Sequence, residues 1–296
     1  MSATTGVKIP AADFNSIQST IGAVLGTPSG NYGYGQTPAS AQVATGNQIK
    51  ATDWQNVITD ITHAYKHIYA SAPTVPTISN AVQIKAADVN SLATLATQCS
   101  TNRLTIAAAN QTIIAPTAST TITRATTWGS GSTGITCVAS LTWASEALAS
   151  AFFNSGGYVT LKLAHPTTST TQDSAWNSTL SAFGTMIFSG SGSTKAGGNG
   201  SMTSLAYSAY TTAGTAVMNN VAMTTAAYTA NYITVTLKKI TNGMSITVLL
   251  EDNHTNSYYD SVASGTNAAF GWAVASDTAN LATAITQPTF AKTTNF

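Results

Sequence analysis

Charge is what this chain has least of. Asp, Glu, Lys and Arg supply 7% of its 296 residues, against roughly 25% in average soluble domains. The net charge is +1 and no basic cluster exists beyond Lys238-Lys239. That composition excludes a nucleic-acid surface built on phosphate contacts. Cysteine is scarce too. Cys99 and Cys137 stand in different segments without metal-ligand spacing; they read as small buried hydrophobes, with a disulfide as the weaker reading. No apolar run approaches the ~20 residues of a membrane-spanning helix, so no membrane partner is expected. The first residues lack the basic and apolar regions of a secretory signal, and maturation in a cytoplasm is expected.

Hydrophobic residues make up 43% of the chain, enough for a real core, and the chain is too rich in aromatics and too poor in charge for disorder. The rest of the surface falls to Ser, Thr, Ala, Asn and Gly. Such a neutral, hydroxyl-rich surface resists salt and packs closely on copies of itself. Extracellular structural proteins, adhesins and virion proteins share this composition.

One phrase occurs three times: Ile9-Pro10-Ala11-Ala12-Asp13-Phe14-Asn15-Ser16-Ile17, Ile49-Lys50-Ala51-Thr52-Asp53-Trp54-Gln55-Asn56-Val57 and Ile84-Lys85-Ala86-Ala87-Asp88-Val89-Asn90-Ser91-Leu92. The isoleucines are 40 and then 35 residues apart, a period that marks a repeated supersecondary unit. Each phrase reads as a helix start. Asp13, Asp53 and Asp88 fall in first turns, where a carboxylate meets unpaired N–H groups and the positive end of the helix dipole. Apolar residues follow at helical spacing. Helical segments are expected over about residues 9–30, 49–72 and 84–100, within a region 1–104. Gly-, Pro- and Ser-rich connectors, among them Gly30-Asn31-Tyr32-Gly33-Tyr34-Gly35, suggest an open arrangement of separate pieces. Helices this short are marginal alone. Phe14, Ile17, Trp54, Ile61 and Ile68, with the pair His63 and His67, are therefore the expected docking face for another protein.

After about residue 105 the pattern turns to alternation. Ile233, Val235 and Leu237, then Ile246, Val248 and Leu250, flank Asn242-Gly243, a hairpin signal. Further strands are expected at 135–143, 158–163, 185–188 and 268–275, one helix at 173–183, and a mobile Gly/Ser loop at 190–200. The fold class expected is α+β, mainly β: N-terminal helical repeats followed by an antiparallel β-sandwich over residues 105–296.

Chemistry is weakly marked. His63 and His67 share a helix face at the spacing of two zinc ligands, but Ala64 stands where an HExxH site needs Glu. Glu251-Asp252-Asn253-His254 and Asp260 offer oxygen ligands without EF-hand spacing. Glu146, Asp173, Glu251, Asp252, Asp260 and Asp277 include no marked carboxylate pair for glycan hydrolysis. His165 and His254 lack a GxSxG partner, and residues 190–200 lack the GK[ST] of a phosphate loop. No catalytic residue, metal site or cofactor is expected.

Phe152-Phe153-Asn154-Ser155-Gly156-Gly157, followed by Ala175-Trp176-Asn177 and by Phe183-Gly184-Thr185-Met186-Ile187-Phe188, resembles a pattern of virion structural proteins from tailed bacteriophages, including phages of marine and cyanobacterial hosts. The second phrase copy, ending Asp60-Ile61-Thr62-His63-Ala64-Tyr65-Lys66-His67, and the segment ending Gly33-Tyr34-Gly35-Gln36 resemble parts of the same proteins. The third copy departs, with Val89 in place of an aromatic and no histidines. The resemblance implies a non-enzymatic part of the tail, neck or fibre apparatus, assembled in the host cytoplasm and located in the virion. Other virion proteins and copies of itself, a trimer above all, are the implied partners. The alternatives are a receptor-binding module that holds a host-surface glycan through aromatics such as Tyr258, Tyr259 and Trp272, and a capsid decoration protein.

Overall fold

The computed structural model describes residues 9–79, 84–129, 133–253 and 261–296. The chain is α+β. Helix and strand take similar shares, 31% and 27%, so a mainly β character belongs to the C-terminal region alone. Two compact units emerge. The first joins Met1–Thr112, Ser150–Gly157 and Val274–Thr286; the second joins Ile113–Ala149, Tyr158–Ala273 and Gln287–Phe296. A single cut near residue 104 does not separate them, because two later segments return to the helical unit.

Each phrase starts a helix at its third residue: α1 (Ala11–Leu25), α2 (Ala51–Tyr69) and α3 (Ala86–Asn102). The aspartates cap as expected in two copies. The Lys50 and Lys85 N–H groups donate to Asp53 and Asp88 at 2.7 and 2.9 Å. Pro10 at the corresponding place has no N–H to give. Helix α1 ends at Gly26 and α2 at Ala70, which takes a left-handed conformation.

The three helices pack on one another pairwise. Ile9, Ile49 and Ile84 line one cavity of about 790 Å³ with Pro10 and Trp54, so the three helices start at one end and run parallel. The connectors return alongside them. Gln36 N–H donates to Leu25 O at the end of α1, Gln18 Nε2 to Ser40 O midway, and Val43 N–H to Asn15 Oδ1 near its start. Equivalent positions are buried together at four levels: Phe14, Trp54 and Val89; Ile17, Val57 and Leu92; Ile21, Ile61 and Ala96; Val24, Ala64 and Cys99. Phe14 and Trp54 meet edge to face at 5.0 Å. Two aromatics already fill the first level, and the smaller Val89 completes it. This is a closed, internally threefold bundle, not the open set of pieces that the connectors suggested.

The second unit holds two antiparallel sheets. The strands are β1 (Gln111–Ile114), β2 (Thr121–Thr123), β3 (Ile135–Thr142), β4 (Tyr158–Ala164), β5 (Thr185–Ser189), β6 (Ser193–Lys195), β7 (Thr215–Ala222), β8 (Tyr232–Ile240), β9 (Gly243–Glu251), β10 (Asn267–Ala275) and β11 (Thr289–Asn295), of which the first two residues of β1 and the last two of β10 fall in the first unit. Helix α4 (Glu146–Asn154) starts in the second unit and ends in the segment Ser150–Gly157 of the first, while α5 (Thr171–Phe183) lies wholly in the second. One sheet has the order β1-β10-β4-β5-β6, with β2 also on β10; the other has β11-β3-β9-β8-β7.

Register explains the core. Cys137 pairs Val248, which pairs Val235; Ala139 pairs Ile246, which pairs Leu237. All six are buried, because directly opposite residues share a face. In the other sheet Phe270 pairs Leu161 and Leu161 pairs Met186. Phe270 meets Phe290 of the facing sheet at 5.4 Å.

The β8–β9 hairpin turns on Thr241 and Asn242, since Ile240 pairs Gly243. Only Asn242 has positive φ, at 56°. Gly243 serves close approach: a Cβ there would lie 2.0 Å from Leu141 O. The expected loop at 190–200 contains β6, paired to β5.

Candidate functional site

Three separate sequence segments converge inside the helical unit: the glycine-tyrosine segment, the end of the second phrase copy, and Phe152–Gly157. The glycine-tyrosine segment folds over the end of α1, with Tyr34 N–H on Val24 O and Gly35 N–H on Gly26 O. Gly33 has φ 88°, and a Cβ there would lie 2.5 Å from Thr27 O; no other residue fits without moving the backbone. Tyr34 is fully buried and donates its hydroxyl to Arg103 O at 2.6 Å. Its ring meets His67 edge-on at 5.2 Å. His67 Nε2 donates to Ser155 O at 3.1 Å, and Asn154 Nδ2 donates to Tyr32 O at 2.6 Å.

Side-chain amides satisfy much of the remaining backbone here. Gln36 accepts from Thr283 N–H at 2.7 Å and donates to Thr283 O at 2.9 Å. Asn110 Nδ2 donates to Lys66 O and His67 O near the end of α2 at 2.9 and 2.7 Å. Gln111 Nε2 donates to Gly156 O. Each of these bonds replaces water at backbone groups that helix ends and turns leave unpaired.

The junction is poor in usable chemistry. Burial holds the His67 imidazole below the ordinary histidine value; the opposing effects of Ser155 O and the Asp277 carboxylate are smaller. Since the Ser155 carbonyl can only accept, Nε2 carries the proton of the neutral ring. Nδ1 lies 3.5 Å from Asp277. Burial likewise pushes the Cys99 thiol up to about 12 and raises the Tyr34 phenol well above its usual value.

The expected docking face is corrected by this arrangement. Phe14, Ile17, Trp54, Ile61 and Ile68 are at most 2% exposed, and His67 is fully buried. They are core within their own chain, because the parallel helices cover one another's apolar stripes. His63 is half-buried and stands apart from His67 in environment. Among the described residues no group of three or more His, Cys, Asp or Glu side chains is placed to hold a metal. Nor is any helix among them long and apolar enough to cross a membrane.

The second unit has one constellation that the sequence did not mark. His165 Nδ1 lies 2.9 Å from Thr266 Oγ1, and His165 Nε2 lies 3.0 Å from Asp173 Oδ1. Thr266 Oγ1 also accepts from Trp128 Nε1 at 3.1 Å. The Thr266 hydroxyl therefore donates to Nδ1, and Nε2–H donates to Asp173. This is the chain of bonds of a hydroxyl–imidazole–carboxylate relay. All three residues are 0% exposed, so no substrate reaches the hydroxyl.

The network's product is structural. Asp173 also accepts from Ser169 Oγ at 2.6 Å and from Ala263 N–H at 2.8 Å, and it closes a capping box with Thr170 at the start of α5. Burial raises the Asp173 carboxyl, but the bonds from Ser169, Ala263 and His165 outweigh it and hold the group below the ordinary carboxylate value.

The other candidate carboxylates are dispersed. Glu146 pairs with Lys239, whose ammonium lies 3.7 Å over the Tyr207 ring. Buried Asp252 accepts from Gln172 Nε2 at 2.7 Å. Asp277 holds Asn280. Trp272, named for glycan contact, is 7% exposed and donates to Gln287. His254, Tyr258, Tyr259 and Asp260 lie outside the described residues.

No family model, curated protein or solved structure matches the chain.

Proposed function

We propose that this chain is a non-enzymatic structural component of a tailed-phage virion, built into its tail, neck or fibre apparatus. One observation carries the reading. Four of the motif residues behind the phage resemblance, His67, Tyr34, Asn154 and Ser155, meet in one buried junction held by bonds to backbone. Residues used in that way serve architecture. The relay-like network in the second unit is equally enclosed. A surface with so few charges suits close packing among other virion proteins and copies of itself, with a trimer as the expected assembly. The helical unit is not what requires that trimer, since it covers its own apolar residues.

The test is composition of the particle. Virions of the phage that encodes the chain are purified through a density gradient, analysed by quantitative mass spectrometry and labelled with antibody-gold. The expected result is a fixed copy number per particle, with label on the tail, neck or fibres. Recovery of the chain in the lysate but not on particles overturns the reading.

A further inference from the structure

The chain contains two Asn-Gly dipeptides, Asn199-Gly200 and Asn242-Gly243. Asn-Gly is the pair in which an asparagine side chain most readily closes on the backbone, because glycine offers its amide nitrogen with no Cβ in the way. Closure needs two local conditions. The glycine N–H must be free of a bond that it would have to give up. The asparagine side chain must have room to swing back over it. The fold meets both conditions at one pair and neither at the other.

Asn242 and Gly243 are locked in the β8–β9 hairpin. The Gly243 N–H closes the two-residue turn on Ile240, and Gly243 is also in register with Thr142 of β3. It is buried, with Leu141 O where a Cβ would stand. Asn242 O accepts from Trp143 N–H at 2.9 Å. Asn199 and Gly200, by contrast, follow β6 in a segment without regular structure. Its anchors are Gly197 N–H on Phe183 O at 2.9 Å and Thr203 N–H on Val217 O at 2.7 Å. Between them Asn199 N–H makes one long bond, 3.4 Å to Ala182 O, and no acceptor among the described residues lies on the Gly200 N–H. Asn199 is half-buried and Gly200 exposed, and a Cβ at Gly198 would meet nothing within 4 Å.

We propose that Asn199 is a site of spontaneous covalent modification, from which the fold protects Asn242. The Gly200 nitrogen loses its proton to solvent base and attacks Cγ of Asn199. An N–Cγ bond forms, the Cγ–Nδ2 bond breaks, and the Nδ2 group takes a proton from solvent and leaves as ammonia. The five-membered imide takes up one water at either carbonyl and opens to an aspartyl or an isoaspartyl residue. The sum is amide plus water giving acid plus ammonia, with no redox step. Each event takes the net charge of the chain from +1 to 0. The altered link lies between the Gly197 and Thr203 anchors, outside β6 and β7, so both sheets keep their ladders.

The test is a timed incubation of the full chain in warm, mildly alkaline buffer made with water enriched in heavy oxygen. Digestion and tandem mass spectrometry then read the heavy-oxygen acid at residues 199 and 242, and an isoaspartyl methyltransferase counts the isoaspartyl share. Conversion at Asn199 is expected to be at least about fivefold faster than at Asn242, the factor that one net hydrogen bond is worth. In denaturant the two should convert at similar rates, since both are Asn-Gly. Asn199→Gln should abolish the isoaspartyl signal of the folded chain. A folded chain that converts at Asn242 as fast as at Asn199, or that leaves Asn199 intact, overturns the proposal. So does a difference that persists in denaturant, because the sequence and not the fold would then set it.

Discussion

The helical unit and the β unit face one problem, the burial of polar groups, and answer it differently. In the helical unit the buried polar groups are mostly backbone atoms at helix ends and loops. Neutral side chains reach most of them, Gln36, Asn110, Gln111 and Asn154, with the buried Asp60 carboxylate on Ala39 and Ser40 N–H as the charged exception. In the β unit the ladders satisfy the backbone, and the buried side chains carry charge or can do so: Asp173, His165 and Asp252. The first answer depends on shape and repeats along the sequence. The second depends on an ionised carboxylate staying ionised. The two units should therefore fail in different ways.

The largest expected effect is in the helical unit. Trp54→Ala removes the largest side chain of the first buried level, and truncation of a buried aromatic costs about 3–5 kcal/mol. Unfolding followed by far-ultraviolet circular dichroism should show loss of the helical transition. The fluorescence transition of Trp128, Trp143, Trp176 and Trp272, all in the β unit, should shift less. An equal shift of both would mean that the two units unfold as one.

Asp173→Ala comes next. It leaves the fully buried His165 without its carboxylate and removes the acceptor of Ser169 Oγ and the Ala263 N–H. Breaking a buried pair by removing one partner costs about 3–5 kcal/mol. The loss should appear in the tryptophan transition, since Trp128 belongs to the same network. A variant as stable as the parent would show that the network is dispensable. Gln36→Ala should cost less, about 1–3 kcal/mol for two bonds, and should act on the helical transition.

Acid separates the units with the smallest effect. For His67 the folded pKa lies below the unfolded one, so the unfolded state binds the extra proton first. The helical unit keeps full stability above the unfolded value of about 6.5 and loses stability as pH falls below it. Asp173 has a depressed folded pKa; its contribution is present above the unfolded carboxylate value of about 3.9 and is lost as pH falls through the lower folded one. Lowering pH from 7 to 5 should weaken the helical transition first. His67→Gln should remove that dependence; its persistence would assign the effect to another group.

Much of this was legible in the residues. The first-turn aspartates and 3.6-residue spacing located α1, α2 and α3, and alternation located β3, β4, β5, β8, β9 and β10. Five strands escaped for physical reasons. β1, β2 and β6 are too short to show a period. β7 is broken by two irregularities, with Asn220 at positive φ, and β11 is mostly polar. Helix α4 hid in a run of Ala and Ser that suits several conformations.

The error about docking has a different origin. An apolar stripe looks the same whether it faces a partner or its own chain, so Phe14 and Trp54 did not reveal which. The decisive information was in the connectors, where the partners of Asn15 and Gln55, Val43 and Ile78, each stand six residues before the next phrase. The junction at His67 was unreadable because it gathers Asn110, Asn154 and Thr283 from segments far apart in sequence.

The central claim is that three copies of one phrase build a self-contained bundle in a single chain. Native hydrogen exchange read by mass spectrometry over α1, α2 and α3, at a series of protein concentrations with light scattering on each sample, tests it most directly. Slow exchange in all three helices at every concentration, including any at which the chain is monomeric, is the expected result. Protection that appears only as the chain associates would contradict it, and would return Phe14, Trp54 and Ile61 to an interface.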